Sequence, residues 1–246
     1  MNRRQLILRG SLAACLGAAF RNARAQSLAD VDVPRVPPPP GARVLFDGTD
    51  LSQWQNRKGG PAGWTLGPGY MEVKPGNGDI ITRERFQDYY LHLEFWLPLM
   101  PEAKGQARAN SGVYNQGRIE VQILDSYGQP PRDNEAGGIY KVATPLRNAS
   151  KKPERWQAYD IYYRAPRIGP DGKQTRRGQI TVRHNGFLIH DHVEFDAQTT
   201  TSGLPPENND YSQPGPILLQ DHGNLVRFRN IWIVPAPAGR RDPDAE

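Results

Sequence analysis

Arg118, Glu120 and Gln122 alternate with Ile119, Val121 and Ile123. A strand running from Arg118 to Asp125 would set a guanidinium, an acid and an amide on one face and three β-branched residues on the other. A ligand rich in hydroxyls asks for that set: a carboxyl that moves a proton, an amide that grips two atoms at once, and a fixed charge. The habit recurs downstream. His190 and His192 share a parity with Leu188, and Gln220 shares one with His222. Were these strands neighbours, one sheet face would carry Glu120, Gln122, His190 or His192, Gln220 and His222. A polar row alone is not a site, because antiparallel sheets commonly leave one face in water. His190-Asp191-His192 offers two imidazoles at i and i+2, yet no third metal ligand is fixed by spacing. Trp54, Trp64 and Trp96 are of a type that stacks on sugar rings, although tryptophan is by default a core residue.

The elements that must position these residues are strands. Tyr89, Leu91, Leu93, Phe95 and Leu97 oppose Tyr90, His92, Glu94 and Trp96, which predicts a strand with one apolar face. Tyr159, Ile161 and Tyr163 alternate in the same way. Ile180 and Val182 lead through His184 to Asn185-Gly186 and then to Phe187 and Ile189, a two-residue hairpin signal, since both turn positions tolerate φ > 0. Residues 217–220 and 225–234 supply two further strands around His222-Gly223-Asn224. With Gly 25 and Pro 23, many short strands joined by Gly/Pro/Asn loops predict an all-β antiparallel sandwich or jelly roll with short helical turns only.

Charge and length narrow the function further. The chain has 246 residues, and 31 Lys+Arg against 26 Asp+Glu give it a formal +5. Residues 1–25 hold Arg3, Arg4, Arg9, Arg21 and Arg24 and no acid, so without them 26 basic residues face 26 acidic ones. The excess charge therefore reads as an export address and gives no case for a nucleic-acid surface. Adjacent Arg3-Arg4, a weakly apolar stretch from Gly10 to Phe20 and Ala23-Arg24-Ala25 predict a twin-arginine signal peptide over 1–25 and a periplasmic or secreted product. The rival is a lipoprotein anchored at Cys15, preceded by Leu12-Ala13-Ala14. It is weaker, because only five residues separate Arg9 from Cys15. No apolar run reaches the roughly 18 residues of a transmembrane segment. A Pro-rich spacer is expected over 26–42, one sandwich domain over 43–235, and a disordered tail over 236–246. No Walker A, GxGxxG or GxSxG pattern is present, so nucleotide and serine-hydrolase chemistry have no foothold.

Several blocks then add up to a resemblance. Residues 44–54 (VLFDGTDLSQW), Asn110 to Tyr114, Gly117 to Tyr127, Gly138-Ile139-Tyr140, Asn148-Ala149-Ser150, Trp156 to Ile161, Val182 to Gly186 and Leu218 to Ile231 are similar, in one order, to the 3-keto-disaccharide hydrolase family. The similarity spans roughly residues 43–235, and several blocks in order are more specific than any single motif. It implies a concanavalin-like sandwich acting on glycosides whose C3 hydroxyl has been oxidised to a ketone, as 3-keto-glucoside lyases and 3-keto-2-hydroxyglucal hydratases do. A C3 ketone acidifies the C2 proton, so a base can form an enolate that expels the C1 oxygen, after which water adds back.

On that resemblance Glu120 is expected as base or as a metal or hydroxyl ligand, and His222 as proton donor or base partner, with His190 as reserve base. Gln122 and Gln220 would hold hydroxyls, Arg229 would take the enolate charge, and Arg118 and Asn110 would complete the substrate contacts. No set of metal ligands is assigned; a bound divalent cation taking the enolate charge is the one cofactor the chemistry admits. The expected partners are an oligosaccharide or glycoside substrate and a separate 3-dehydrogenase that makes the ketone. Lys141 stands where a small residue is expected. Two other readings remain: a non-catalytic carbohydrate-binding sandwich and a conventional glucanase. A retaining glucanase needs two carboxylates about 5–5.5 Å apart, and Glu120 and Asp125 have opposite parity.

Overall fold

The computed structural model describes residues 28–201 and 213–236. The expected leader and the residues after 236 lie outside them. In chain order the strands are β1 (Arg43–Phe46), β2 (Trp54–Asn56), β3 (Thr65–Gly67), β4 (Tyr70–Glu72), β5 (Ile80–Thr82), β6 (Asp88–Trp96), β7 (Ser111–Asn115) and β8 (Ile119–Ile123). They continue with β9 (Trp156–Arg164), β10 (Arg167–Ile168), β11 (Gln174–Arg176), β12 (Gly178–His184), β13 (Phe187–Phe195), β14 (Leu218–Leu219) and β15 (Arg227–Pro235). Helix among the described residues is limited to single 3-10 turns at Leu28–Asp30 and Gly105–Ala107. The antiparallel sandwich expected from the alternating runs is what forms.

One sheet has eight strands in the order β13-β12-β9-β6-β15-β4-β3, with β1 also paired to β15. A second has five, β2-β5-β14-β7-β8, and β10 and β11 pair in a small two-stranded sheet of their own. The inward residues of the two larger sheets make one apolar core, Leu91, Leu93 and Phe95 of β6 and Ile161 of β9 packing with Ile80, Val113, Ile119, Val121, Ile123 and Leu219. Each such side chain, fully buried, contributes roughly 1.5–3 kcal/mol. Trp54 and Trp64 belong to this core. The indole of Trp54 donates to Leu45 O at 2.8 Å, and Trp64 stacks on Phe228 with ring centroids 5.8 Å apart. Neither is available to a sugar. The Asn185-Gly186 turn forms as expected, with φ of 53° and 82°, joining β12 to β13.

Behind the eight-stranded sheet, away from the five-stranded one, lies a second buried layer that is charged. His92 and Glu94 alternate with the core residues of β6, and both are fully buried. His92 Nδ1 meets Asp160 Oδ1 at 2.7 Å. Glu94 accepts from Arg229 Nε and from Asn230 Nδ2, each at 2.6 Å. The His92 ring stacks on Trp232 at 4.9 Å. The Pro-rich stretch runs across this layer: Asn230 Nδ2 and Trp232 Nε1 both donate to Val36 O, at 2.8 and 3.1 Å, while the Val33 N–H donates to Trp156 O at 3.1 Å. Trp96, half-buried on this face, is covered by Arg227, whose guanidinium carbon sits 4.2 Å from its ring centre.

Burial alone would lower the His92 pKa; the hydrogen bonds and charges of Asp160 and Glu94 outweigh it, and the net shift is upward. A pKa raised on folding stabilises the protein fully below the unfolded value near 6.5, and that stabilisation is lost as pH rises through the folded one. Replacing His92 by Leu should destabilise the fold by about 3–5 kcal/mol at pH 6, since it leaves the buried Glu94 and the half-buried Asp160 without it. The difference from wild type should narrow by pH 9. Urea unfolding at both pH values checks this, and a pH-independent difference would mean that His92 is neutral in the folded protein.

Candidate active site

On the five-stranded sheet, residues that do not enter the core point outward, and the register arranges them. Tyr114 of β7 pairs with Glu120 of β8, and Gly112 pairs with Gln122. Leu218 of β14 pairs with Tyr114 on one side and with Ile81 of β5 on the other. Gln220, two residues on, donates its N–H to Gly112 O at 3.0 Å. Gly112 is therefore the middle of a ring, with Asn110 and Tyr114 along its own strand, Gln220 on one flank and Gln122 on the other. Glu120 leans into the opening. A Cβ on Gly112 would fall 2.2 Å from Glu120 Oε1, so the missing side chain is the space the carboxyl occupies.

Both edges of β8 are closed. β7 pairs with one edge. Along the other, the Glu120 N–H donates to Thr201 Oγ1 at 2.8 Å, Tyr140 N–H to Glu120 O at 3.2 Å, and Gln122 N–H to Gly138 O at 2.9 Å. Enclosed in this way, Glu120 is 3% exposed. Burial pushes its carboxyl up to about 8; the hydrogen bond of Tyr114 pulls it down, and the negative charge of Asp79 pushes it up again. No cation figures among these influences. Gln220 Nε2 donates to Tyr114 Oη at 3.1 Å, which leaves the phenol proton for Glu120.

The amides around the carboxyl are tied to each other. Gln122 Nε2 donates to Gln106 Oε1 at 3.1 Å, and Asn110 Nδ2 donates to Gln106 O at 2.7 Å. Asn110 and Gln122 are each 2% exposed. Asn110 Oδ1, Gln122 Oε1 and Gln220 Oε1 are buried and accept no hydrogen bond from the protein. A face lined by unsatisfied acceptors around a buried acid is built for a ligand that brings donors.

The structure thus brings together Glu120, Gln122, Gln220 and Asn110 of the expected residues, and adds Gly112, Tyr114 and Gln106. Four others need separate accounts. Arg118 does not share the Glu120 face. Gln116 and Gly117 have φ of 52° and 68°, and Arg118 closes their turn with its N–H on Asn115 O at 3.1 Å, so β8 and its alternation begin one residue later. Its guanidinium donates to Ala197 O and Gln116 Oε1, both at 2.9 Å, and is spent on structure.

The structure gives His190 a structural partner instead of a place beside Glu120. The pairing of β12 with β13 slips around His192, whose φ is 48°, and the slip turns His190 inward. Burial lowers its pKa, and its Nε2 lies 2.7 Å from Gly137 O. A carbonyl can only accept, so His190 is the neutral donor that fastens the loop beside β8. Arg229 is likewise misplaced by parity alone: it lies on the far outer face of the sandwich, bound to Glu94. His222 is exposed, in the loop after β14, two residues from Gln220.

Asp125, the candidate second acid, lies beyond the end of β8, where its charged neighbours are Arg108 and Glu135. Asp79, the acid that Glu120 does feel, is held by Arg57 at 3.1 Å. Among the described residues no group of three or more His, Cys, Asp or Glu is placed to hold a metal ion.

An antiparallel sandwich with a buried acid ringed by amides on one sheet face has the make-up of a carbohydrate-active protein. The chain belongs to the family of 3-keto-alpha-glucoside-1,2-lyase-like domains, whose model matches residues 41–234. A candidate glycosyl hydrolase from Parabacteroides distasonis is similar to it at 40% identity and a TM-score of 0.73, over 80% of this chain and 85% of that one. A second from the same organism is 20% identical over 80% of this chain and 94% of that one, with a TM-score of 0.60, and shows the fold alone. Comparison with curated proteins gave no match.

A carboxyl raised on folding binds more protons in the native than in the unfolded protein between its two pKa values. Native stability should therefore fall as pH rises from about 4.5 to about 8. Glu120→Gln removes that slope. The variant should gain on wild type between pH 5 and pH 9 by an amount on the order of a few kcal/mol, read by chemical unfolding. An equal gain at both pH values would mean that the carboxyl is solvated.

Proposed function

We propose that the protein cleaves 3-keto glycosides by elimination followed by hydration, with Glu120 as the base. The observation that supports this reading is the position of Glu120: buried, without a cation, and pushed up to about 8. A base works best when its pKa lies near the working pH, where it is still partly ionised yet holds a proton firmly. Taking the C2 proton also turns a desolvated anion into a neutral acid, which relieves the cost of burying the charge.

The electrons of the C2–H bond move into an enolate that ends on the C3 oxygen. As the ketone reforms, the C1–O bond breaks, leaving a double bond between C1 and C2. The departing oxygen takes a proton, and His222 is the group we assign to give it. Water then adds, hydroxyl to C1 and proton to C2, so the net change is hydrolysis. The enolate needs a donor, and Arg118 and Arg229 are occupied elsewhere; as Glu120 takes the C2 proton it no longer needs the Tyr114 hydroxyl, whose one proton can then turn to the C3 oxygen. No step calls for a nucleotide cofactor, and the ketone would come from a separate 3-dehydrogenase. A glucanase mechanism has less support, since Asp79, the acid nearest in effect to Glu120, is already bound to Arg57.

Purified protein should release product from a 3-keto disaccharide and leave the unoxidised parent intact. Equal cleavage of both would return the glucanase reading, and binding without turnover the lectin reading. Wild-type kcat/KM should climb with pH to a plateau above about 8, and Glu120→Gln should lose on the order of 10²–10⁴-fold. Gly112→Ala, which forces the carboxyl aside, should lose activity while folding normally.

The place of action follows from the leader: we assign export through the twin-arginine route to the periplasm or beyond. Replacing Arg3 and Arg4 by Lys should leave precursor in the cytoplasm, seen on fractionation. Unchanged export would remove the assignment.

A further inference from the structure

Which end of a side-chain amide is oxygen and which nitrogen is settled by its partners, and around Glu120 the partners settle it. Gln106 Nε2 lies 2.8 Å from Asn134 O. A backbone carbonyl only accepts, so the nitrogen must be there and Gln106 Oε1 must face the other way. Gln122 reaches that oxygen at 3.1 Å and so must present its own nitrogen, leaving Gln122 Oε1 in the ring with no protein donor. Asn110 is fixed by the same residue, chiefly through its backbone, with a longer bond from Asn110 Nδ2 to Gln106 Oε1 at 3.3 Å. The Asn110 nitrogen lies 2.7 Å from the backbone oxygen of Gln106, which leaves Asn110 Oδ1 unsatisfied. One loop residue thus orients two amides, Gln122 through its side chain and Asn110 chiefly through its backbone, with a longer side-chain bond beside it.

We infer that Gln106 makes this end of the site a receptor for two hydroxyl donors, with Asn110 Oδ1 and Gln122 Oε1 accepting one proton each from the sugar ring. The inference rests on the carbohydrate reading of the site, but it concerns binding and not the elimination step. Gln106 is a positioning residue: it acts through Gln122 and Asn110. Neither amide can turn to offer its nitrogen without losing a bond in a buried place. A ring substituent that only accepts, such as a ketone or a fluorine, is therefore refused where a hydroxyl is held. A 3-keto sugar would then enter with its ketone away from Asn110 and Gln122, toward the Tyr114 hydroxyl and the Glu120 carboxyl.

Deoxyfluoro sugars test this, because fluorine keeps the size of a hydroxyl and lacks the proton. The probes are methyl glucopyranoside and its 2-, 4- and 6-deoxyfluoro derivatives, which carry no ketone for the elimination to use. Binding to the purified protein is read by calorimetry. Two of the fluoro derivatives should bind roughly ten- to a hundredfold more weakly than the parent. In Gln106→Met, which keeps the backbone oxygen that holds Asn110, one of the two penalties should shrink to within about threefold, because the Gln122 amide can now rotate. The other should persist. Asn110→Leu should reverse the pattern, abolishing the second penalty and keeping the first.

A merely structural role for Gln106 would weaken all four probes together and leave their ratios unchanged. That result would overturn the inference, as would equal binding of parent and derivatives, or no binding of any of them by wild type. Turnover of a 3-keto disaccharide in any of those cases would leave the elimination reading standing. Fluoro selectivity without such turnover would do the opposite.

Discussion

The buried carboxyl of Glu120 is the constraint around which the five-stranded sheet is arranged. A carboxylate this enclosed is costly unless something compensates it, and what compensates it here is small: one phenol hydroxyl. The surrounding features keep the group enclosed. Gly112 gives up its side chain to make room. The strand edge is sealed on both sides, by β7 and by Thr201 with the loop at 137–140. His190, across in β13, holds that loop through Gly137, and Tyr159 in β9 donates to Gln122 O at 2.7 Å. Both ties cross from the eight-stranded sheet, so the packing of the two sheets is what sets the environment of the acid.

The opposite face of the molecule shows that the chain can neutralise a buried acid when the fold requires it. Glu94 is enclosed as fully as Glu120, yet Arg229, Asn230 and His92 surround it, and its pKa goes down in spite of burial. The same residue type in two sites thus titrates in opposite directions. Partners decide the direction, since burial pushes both carboxyls up. The compensated acid anchors structure beneath the Pro-rich stretch, while the uncompensated one is left able to exchange a proton near neutral pH. That asymmetry, more than any motif, is what marks Glu120 as the carboxyl to propose for chemistry and Glu94 as a structural one.

Much of this was legible in the sequence, and where the reading failed it did so for a common reason. Alternation identified the core faces of β6, β8 and β9 and put Glu120 and Gln122 on one side, because in regular strands parity is a physical rule. It misplaced Arg118 and His190, where left-handed residues at Gln116 and His192 insert a turn or a bulge and shift the count. It could not tell which outer face a residue occupies: Arg229 and Glu120 both point away from the core, but from different sheets. Tyr114 was within reach, since it shares a parity with Asn110 and Gly112. Gln106 was not, because a residue in a 3-10 turn has no periodicity to betray it.

On the proposed reading, the chemistry of a keto sugar would give the arrangement along β7 a direction. A ketone oxygen has no proton to give and must be met by donors, whereas the hydroxyls around it can satisfy acceptors. Asn110, Gly112 and Tyr114 lie on one face of one strand, two residues and so about 6.5–7 Å apart at each step. At the Asn110 end the side-chain groups aimed into the site are carbonyl oxygens. At the Tyr114 end stand a phenol hydroxyl and the carboxyl proposed as the base. The two ends lie about 13–14 Å apart along the strand, so on the proposed reading its polarity would choose which end of a bound glycoside faces the acid. On that reading the orientation of the reacting carbon would follow from hydrogen-bond direction along the strand.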